Sequence, residues 1–391
     1  MTSSAPISQS TEEEFQTERV LTITGGHFIH DTYTAFVAPL LPLIIEKLAL
    51  SLSMVGSLMA FMQLPAILNP FIGYLADKVR LRYFVIFAPA VTATLICSLG
   101  VMPNYASLAI ILFLTGISVA AFHGPAPAMV SRISGSRIGK GMSFYMAGGE
   151  LGRTLGPLLA VWTVSMWALE GFYRIGVIGW ATSLILLWRL KEVAGRTEKT
   201  GSLRGLLPVI KRLFIPLTFV IALRSFMLVS ITTYLPIFMK TEGASLWVAG
   251  ASLSILELAG VGGALMAGSI SDRLGRKPML LIIAVASSLF LVVFLQVQGW
   301  LLVPVLLALG FTSLSTGPIY LALVQDHTPH NRAVGNGLYI SMSFLVRSLI
   351  TFLIGLAGDS FGLRATFFWS AILALLSIPA ILTLPKVDEI P

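Results

Sequence analysis

The chain has 391 residues, of which 56% are hydrophobic and only 11% are charged, and its formal net charge is +8. Soluble domains carry about 25% charged residues, so this composition excludes an ordinary water-soluble fold and indicates an integral membrane protein. The single cysteine, Cys97, excludes an internal disulfide and a cysteine-cluster metal site. Residues 1–20 are polar and acidic, and they are expected to form a cytoplasmic tail because they lack the pattern of a cleavable signal peptide.

Apolar stretches long enough to cross a bilayer as helices recur along the whole chain. They predict twelve transmembrane helices, at residues 21–45, 54–76, 83–102, 105–129, 141–163, 171–190, 213–239, 247–270, 278–297, 300–325, 333–357 and 361–385. Most of the 26 Lys and Arg residues fall in alternate connections, which places those connections and both termini in the cytoplasm by the positive-inside rule. The surplus of Lys and Arg therefore reflects membrane topology. Binding to nucleic acid is not expected, because the sequence shows no continuous basic face.

The longest connection, 191–212, has the composition of a linker and separates six spans from six. We expect a first six-helix bundle at 21–190, a second at 213–385 and a cytoplasmic C-terminal tail at 386–391. The two halves are similar in sequence. Gly141, Tyr145 and Arg153 of the first half have counterparts at the same spacing in the second half, Gly335, Tyr339 and Arg347. These matches predict a duplicated six-helix unit, that is, an all-α protein of two bundles related by a parallel repeat.

The first span carries one polar stripe on an apolar helix. His27, His30, Asp31 and Thr34 follow the spacing i, i+3, i+4, i+7, and Tyr33 lies beside them. A polar stripe facing lipid is costly, so we expect it to face a cavity or the fifth span. Asp31 and His30 are candidate proton carriers, because imidazole titrates near pH 6.5, at about the physiological range. The alternative is a structural ion pair of Asp31 with Arg153.

The fifth span combines charge with glycine. Glu150 and Arg153 share one helical face, and charges at this depth cost roughly 2.5–3.5 kcal/mol each unless they have partners. Gly148, Gly152 and Gly156 lie on another face with the spacing that lets two membrane helices approach closely. Pro157 follows and is expected to distort the outer part of the helix.

Three more charges lie inside spans, namely Arg224, Glu257 and Arg347, and Gln63 is the repeat counterpart of Glu257. We expect them near mid-membrane, with the aromatic side chains of Tyr145 and Tyr339 shaping an amphipathic site. The arginines could bind an anionic substrate, or they could be counter-ions for Glu257. The sequence leaves both interpretations open.

His123 ends the fourth span, directly before Gly124-Pro125, which is expected to break the helix. A role in proton relay or substrate binding and a role in capping the broken helix are both open. No set of two histidines, or of a histidine and a carboxylate, with an implied third ligand is recognised, so no metal site is predicted. A nucleotide loop and a nucleophile–base motif are also missing from the sequence, so we expect neither an enzyme nor a cofactor.

Two loop segments, GYLADKVRLR at 73–82 and GSISDRLGRKP at 268–278, share a glycine, an aspartate and basic residues. Asp77 with Arg80, and Asp272 with Arg276, are candidate gating residues. A carboxylate there can pair with nearby Lys or Arg and with a helix N-terminus when the cytoplasmic ends are closed together. The alternative is a static staple within the loop.

These two segments resemble the cytoplasmic loop motif of the major facilitator superfamily, and Gly152-x-x-x-Gly156-Pro157 resembles its antiporter motif. GGHFIHDTYTAFVAPLLPLI in span one and GISVAAFHGPAPAMVSRISG in span four resemble the fosmidomycin-resistance type of exporter. The resemblance implies the major facilitator fold and alternating access to a site between two bundles.

The function expected from these observations is proton-coupled efflux of a small amphipathic or anionic compound. A proton-coupled importer of a small organic anion uses the same charges and is the alternative, and a non-transporting membrane sensor is a third possibility. The expected partners are a small-molecule substrate, protons and the lipid bilayer, with the monomer as the functional unit. The expected location is the inner membrane.

Overall fold

Apolar sequence in lipid must satisfy its own backbone hydrogen bonds, and here it does so as helices. The computed structural model describes residues 15–68, 82–190, 210–328 and 332–385, where all the regular elements are helical. The first half of the chain contains α1 (Thr17–Ala35), α2 (Val37–Leu48), α3 (Leu52–Gln63), α4 (Arg82–Cys97), α5 (Tyr105–His123), α6 (Ala126–Ile133), α7 (Ile138–Trp167) and α8 (Gly176–Arg189). A 3-10 turn, Leu64–Leu68, continues α3.

The second half contains α9 (Ile215–Val229), α10 (Leu235–Thr241), α11 (Leu246–Leu274), α12 (Arg276–Phe294), α13 (Leu302–Ser313), α14 (Thr316–His327), α15 (Arg332–Phe361), α16 (Leu363–Leu375) and α17 (Ser377–Leu382). Ten helical segments in the described ranges are long and apolar enough to cross a membrane, and the shorter apolar Leu52–Leu68 adds another. With α7, which has 30 residues, they make the twelve crossings that the sequence predicted.

Prolines set the breaks inside two crossings. The first crossing is divided between α1 and α2 at Phe36, and Pro39 cannot donate a backbone hydrogen bond to the carbonyl of Ala35. The seventh crossing contains a π-helical turn, Ser230–Tyr234, directly before Pro236. In contrast, α7 continues as a helix through Pro157 to Trp167, so the expected distortion does not interrupt it.

The two ends of the molecule can be named from the chain. The termini face is the end where α1 begins and α17 ends. There the backbone N–H of Gln16 donates to the carbonyl of Ile133 at 2.9 Å, and Leu384 packs in one apolar cluster with Leu213 and Phe214. The far face is the opposite end, where α2 ends and α3 begins. The basic connections predict that the termini face is cytoplasmic.

The seam between α1 and α7 is built on glycine. A Cβ atom at Gly148 would lie 2.6 Å from the carbonyl oxygen of Thr24, and one at Gly152 would lie 2.5 Å from that of Phe28. One at Gly156 would lie 2.6 Å from the Cβ of Ala35. These distances are shorter than any normal contact, so the two helices approach each other along a line that only glycine permits.

Replacing Gly152 by valine is therefore expected to lower stability by about 1–3 kcal/mol, the usual effect of overpacking a tight interface. The thermal unfolding of the purified full chain in detergent measures this. Gly25→Val on α1 is the matched control, because a Cβ there has no neighbour within 4 Å. Equal unfolding temperatures for the two variants would contradict the packing role.

The two halves of the chain meet along two helix pairs, α3 with α15 and α7 with α11. In the first pair, Gly56 faces the carbonyl oxygen of Thr351 and the hydroxyl of Tyr234, each 2.7 Å from the position of a Cβ. In the second pair, Gly250 faces Val161 at 2.7 Å. Close approach at both pairs holds the halves together from mid-membrane to the far face.

The far face is also closed by polar contacts between the halves. The carboxylate of Asp359, on α15, accepts hydrogen bonds from the backbone N–H groups of Leu52 and Ser53, both at 2.8 Å. These N–H groups begin α3 and have no partner within the helix, so the carboxylate caps it. The hydroxyl of Tyr234 lies 2.9 Å from the carbonyl oxygen of Thr351 and 3.3 Å from that of Leu52. We call Asp359, Tyr234 and the start of α3 the far-face latch.

Candidate functional site

A cavity of about 330 Å³ lies between the halves at mid-membrane. Five of the six charges that the sequence placed inside spans line it: Glu150, Arg153, Arg224, Glu257 and Arg347. Tyr339, another residue expected in the site, lines it too. The repeat thus delivers charged residues from α7, α9, α11 and α15 to one place, which we call the central cavity.

Arg153 is the centre of an acidic group. It forms an ion pair with Glu150 on its own helix. Its Nη1 atom lies 3.8 Å from Asp31 Oδ2 on α1, and its Nε atom lies 3.9 Å from Glu257 Oε2 on α11. The contact with Glu257 joins the two halves of the chain. One arginine therefore meets three carboxylates, whose formal charge exceeds its own by two.

The other two arginines have a different environment. Arg347 Nη2 donates to the hydroxyl of Thr232 at 3.1 Å. Arg224 is only 4% exposed, and its Nε and Nη1 atoms have no hydrogen-bond partner among the described residues. In the same ranges, neither arginine has a carboxylate oxygen within 4.0 Å. Both cations thus face the central cavity without a carboxylate in direct contact within the described ranges. For the buried Arg224, whose Nε and Nη1 atoms lack partners there, this is energetically expensive.

Hydroxyl groups and tyrosine rings complete this side of the cavity. Ser225, Thr232 and Ser343 line it without having been expected from the sequence, and Tyr320 lies beside them. The rings of Tyr320 and Tyr339 lie 6.3 Å apart. The run Ser-Ile-Thr-Thr-Tyr at 230–234 is a polar signal inside an apolar span, and it could have pointed to Thr232.

The polar stripe of α1 does not line the central cavity but forms a histidine cluster behind Arg153. Asp31 lies 3.3 Å from His27 Nε2, 3.2 Å from His30 Nδ1 and 3.3 Å from His123 Nε2. The Nε2 atoms of His27 and His123 are 3.2 Å apart. The histidines of α1 thus meet the end of α5, a meeting that helical spacing alone could not show.

This cluster revises the expectation of no metal-ligating set. His27, Asp31 and His123 each offer one ligand atom, and the three atoms lie within 4.8 Å of one another. The expectation was based on single spans, and the third ligand comes from a helix that is distant in the sequence. Tyr145 belongs to the same cluster, because its ring stacks on that of His27 at 4.0 Å.

Two other candidate residues lie in packing positions. Tyr33 is 2% exposed; its hydroxyl donates to the carbonyl of Ile175 at 2.6 Å and accepts from the N–H of Gly179 at 3.1 Å. It therefore ties α1 to α8, away from the central cavity. Gln63 donates to the hydroxyl of Thr351 at 3.3 Å, which joins the two halves beside the cavity without lining it.

The second loop motif forms contacts within one half. Arg276 Nη1 lies 2.5 Å from Asp272 and donates to Ser271 at 2.6 Å, and Arg276 Nε lies 3.2 Å from Asp326. These contacts tie α11 and α12 to α14 at the termini face. Asp77 and Arg80, the gating candidates of the first motif, lie outside the described residues.

Comparison with known proteins agrees with this architecture. The family model described as Major Facilitator Superfamily matches residues 23–351. The uncharacterized MFS-type transporter YfnC of Bacillus subtilis is 23% identical over 98% of this chain and 97% of its own length. The fosmidomycin resistance protein of Escherichia coli is 22% identical over 91% of this chain and 90% of its own length.

Solved structures show the same fold at low identity. A bacterial homolog of the human lysosomal transporter Spinster, inward-facing and unoccupied, superposes with a TM-score of 0.79, at 14% identity, over 96% of this chain and 98% of that one. A D-xylose-proton symporter superposes with a TM-score of 0.76, at 17% identity, over 96% of this chain and 99% of that one.

Proposed function

Since the chain belongs to the major facilitator superfamily and is a multi-pass membrane protein, we propose that it is a transporter and not an enzyme, and that it exports a small organic anion in exchange for protons. The proposal rests above all on Arg224 and Arg347, which face the central cavity without a carboxylate partner in the described ranges. A carboxylate, phosphate or phosphonate group would satisfy the donors of both guanidinium groups and neutralise their charge.

The shape of the cavity limits the rest of the substrate. A volume of about 330 Å³ is at the lower end of the range for small-molecule sites, so the substrate is small. The rings of Tyr320 and Tyr339 offer apolar faces beside the arginines, and Ser225, Thr232 and Ser343 offer hydroxyl groups. An amphipathic anion, with one charged group and a compact apolar part, fits this lining.

We assign proton coupling to Glu150 and Glu257, which line the cavity beside Arg153. The contact between Glu257 and Arg153 joins the two halves, so protonation of Glu257 weakens a bond that opposes their separation. The proton and the anionic substrate then bias the same rocking motion of two bundles, as alternating access requires. Asp31 lies behind Arg153 in the histidine cluster and does not line the cavity.

The direction of transport, the orientation in the membrane and the oligomeric state are also proposals. Export is supported by the similarity to the fosmidomycin resistance protein of Escherichia coli. Import of the same anion remains the alternative, because the arginines serve it equally well. We place the termini face in the cytoplasm of an inner membrane, following the basic connections, and we propose that the monomer is the working unit.

Proton coupling is tested in liposomes that contain the purified protein. Small organic carboxylates, phosphates and phosphonates are first screened for an increase in the thermal stability of the protein, because a bound ligand stabilises the folded state. Flux of the best ligand is then measured with and without an imposed pH gradient. We expect the gradient to accelerate wild-type flux and to lose its effect in Glu257→Gln.

The control for this experiment is Glu170→Gln. Glu170 is exposed at the far face and pairs with Lys47 at 2.7 Å, within one half of the chain. Flux in the Glu170→Gln variant should respond to the pH gradient as wild-type flux does. Wild-type flux that ignores the gradient, or a Glu257→Gln variant that still responds to it, would refute coupling through this residue.

A further inference from the structure

The histidine cluster behind Arg153 contains two imidazole nitrogens whose hydrogen atoms are already placed. His27 Nδ1 lies 2.8 Å from the carbonyl oxygen of Tyr145, and His123 Nδ1 lies 3.0 Å from that of Val119. A carbonyl oxygen can only accept, so both Nδ1 atoms carry hydrogen. In the neutral rings, both Nε2 atoms then present lone pairs to each other, at 3.2 Å, and to the carboxylate of Asp31.

Three electron-pair donors that converge in this way need a cation between them. Zn²⁺ binds imidazole nitrogen and carboxylate oxygen at about 2.0–2.2 Å, so two ligands of a tetrahedral ion lie about 3.3 Å apart. The two Nε2 atoms are 3.2 Å apart, and each lies 3.3 Å from a different oxygen of Asp31, Oδ2 for His27 and Oδ1 for His123. With one ligand atom taken from each residue, the three atoms lie within 4.8 Å of one another. We propose that His27, Asp31 and His123 bind a divalent first-row transition metal ion, with Zn²⁺ as the best fit.

The surroundings support the three ligands as a metal site does. The backbone carbonyls of Tyr145 and Val119 hold the two histidine rings in fixed orientations. A backbone carbonyl is a usual outer-shell partner of a metal-ligating histidine. His30 Nδ1 lies 3.2 Å from Asp31 Oδ1, and its Nε2 lies 3.2 Å from the hydroxyl of Thr92. His30 thus orients the carboxylate through Oδ1, the oxygen that also faces His123.

Charge and access also favour a divalent cation. Arg153 meets three carboxylates whose formal charge exceeds its own by two, which a divalent ion at Asp31 would balance. The side chain of His123 is 34% exposed, while His27 and Asp31 are buried. The cluster is therefore reached from the side of His123.

The backbone makes room for this arrangement at Gly149. A Cβ there would lie 2.4 Å from Cε1 and 2.6 Å from Nε2 of His27, so any larger residue displaces the ring from the cluster. The packing glycines Gly148, Gly152 and Gly156 do not account for Gly149, because it faces His27 and not the backbone of α1. Gly149 is thus a positioning residue for the proposed ligand.

The test measures metal binding by the full chain, purified in detergent with an affinity tag that contains no histidine. The protein is stripped with a chelator, incubated with ZnSO₄ and separated from free ion, and its zinc is then counted by mass spectrometry. We expect one Zn²⁺ per chain. Co²⁺ in the same site should give the strong visible absorption of tetrahedral coordination.

Variants distinguish this site from adventitious binding. His123→Gln and Asp31→Asn should each weaken Zn²⁺ binding by about 100-fold or more, and Gly149→Ala by about 10–100-fold through displacement of His27. His327→Gln removes a buried histidine elsewhere and should bind normally. Thermal unfolding without metal verifies that each variant is folded.

Substoichiometric zinc in the wild type, or unchanged binding in both His123→Gln and Gly149→Ala, would overturn the proposal. In the first case, a proton shared between His27 and His123 is the cation that satisfies the cluster. The result is independent of the transport assay, so failure here leaves anion export untouched.

Discussion

Replacing Arg224 with methionine is expected to weaken binding and transport of the anionic substrate strongly without destabilising the protein. Methionine fills similar space but removes a buried cation whose Nε and Nη1 atoms lack partners in the described structure. Substrate affinity should fall on the order of 100-fold, the loss expected for one or two charge-assisted hydrogen bonds in a dry site. The unfolding temperature without substrate should hold or rise, because an uncompensated buried charge costs stability.

Opposite effects are expected for Arg276→Met. Arg276 also belongs to the second half of the chain, but its guanidinium group already has partners in Asp272, Asp326 and Ser271. Its loss should lower the unfolding temperature and leave substrate affinity unchanged. Arg224→Lys keeps the charge but loses the planar fork, so we expect an intermediate affinity. An Arg224→Met protein that is unstable and still binds substrate would show that this arginine is structural.

Replacing Asp359 with alanine is expected to open the far face. The carboxylate makes two hydrogen bonds to the first N–H groups of α3, and it is the charged member of the far-face latch. Charge-assisted hydrogen bonds are worth about 1.5–3 kcal/mol each, so their loss shifts the balance between the two states by about 10-fold or more. Spin labels at Ala106 and Gln298, both exposed at the far face in opposite halves, measure the separation.

In Asp359→Ala, we expect a larger fraction of molecules to show a longer distance between the two labels. The increase should be smaller in Asp359→Asn, which keeps one hydrogen-bond acceptor. Glu170→Gln breaks an ion pair on the same face, but within the first half, and should leave the distances unchanged. If Asp359→Ala gave the wild-type distance distribution, the latch would not hold the closed state.

Much of the fold was accessible from the sequence, because length and apolar composition decide which segments cross a membrane. The span predicted at 105–129 corresponds to α5 and α6, and that at 247–270 to α11. Arg153 and Arg347, which the repeat pairs in sequence, both line the central cavity. The break at Phe36 was missed, because no rule of composition states which proline interrupts a helix.

The sequence showed which charged residues lie inside the spans, but it did not show which of them contact each other. An ion pair of Asp31 with Arg153 was one of the two interpretations left open for the first span, and their side chains lie 3.8 Å apart. Helical periodicity could not show that His123 would meet His27, because the contact depends on how α5 packs against α1. Nor could it decide whether Arg224 and Arg347 serve Glu257, since Glu257 lies nearest to the arginine of the other half.

The composition of α7 has a consequence for how the chain enters the membrane. Its Glu150 and Arg153, together with several glycines, keep it out of the ten segments whose length and apolar composition suffice to cross a membrane. A translocating chain would pass this segment through unless something retained it. The earlier α1 offers both Asp31 for Arg153 and the groove for its glycines. Integration of the fifth crossing thus depends on a helix synthesised more than a hundred residues before it, and errors in α1 should appear as inverted topology of everything that follows.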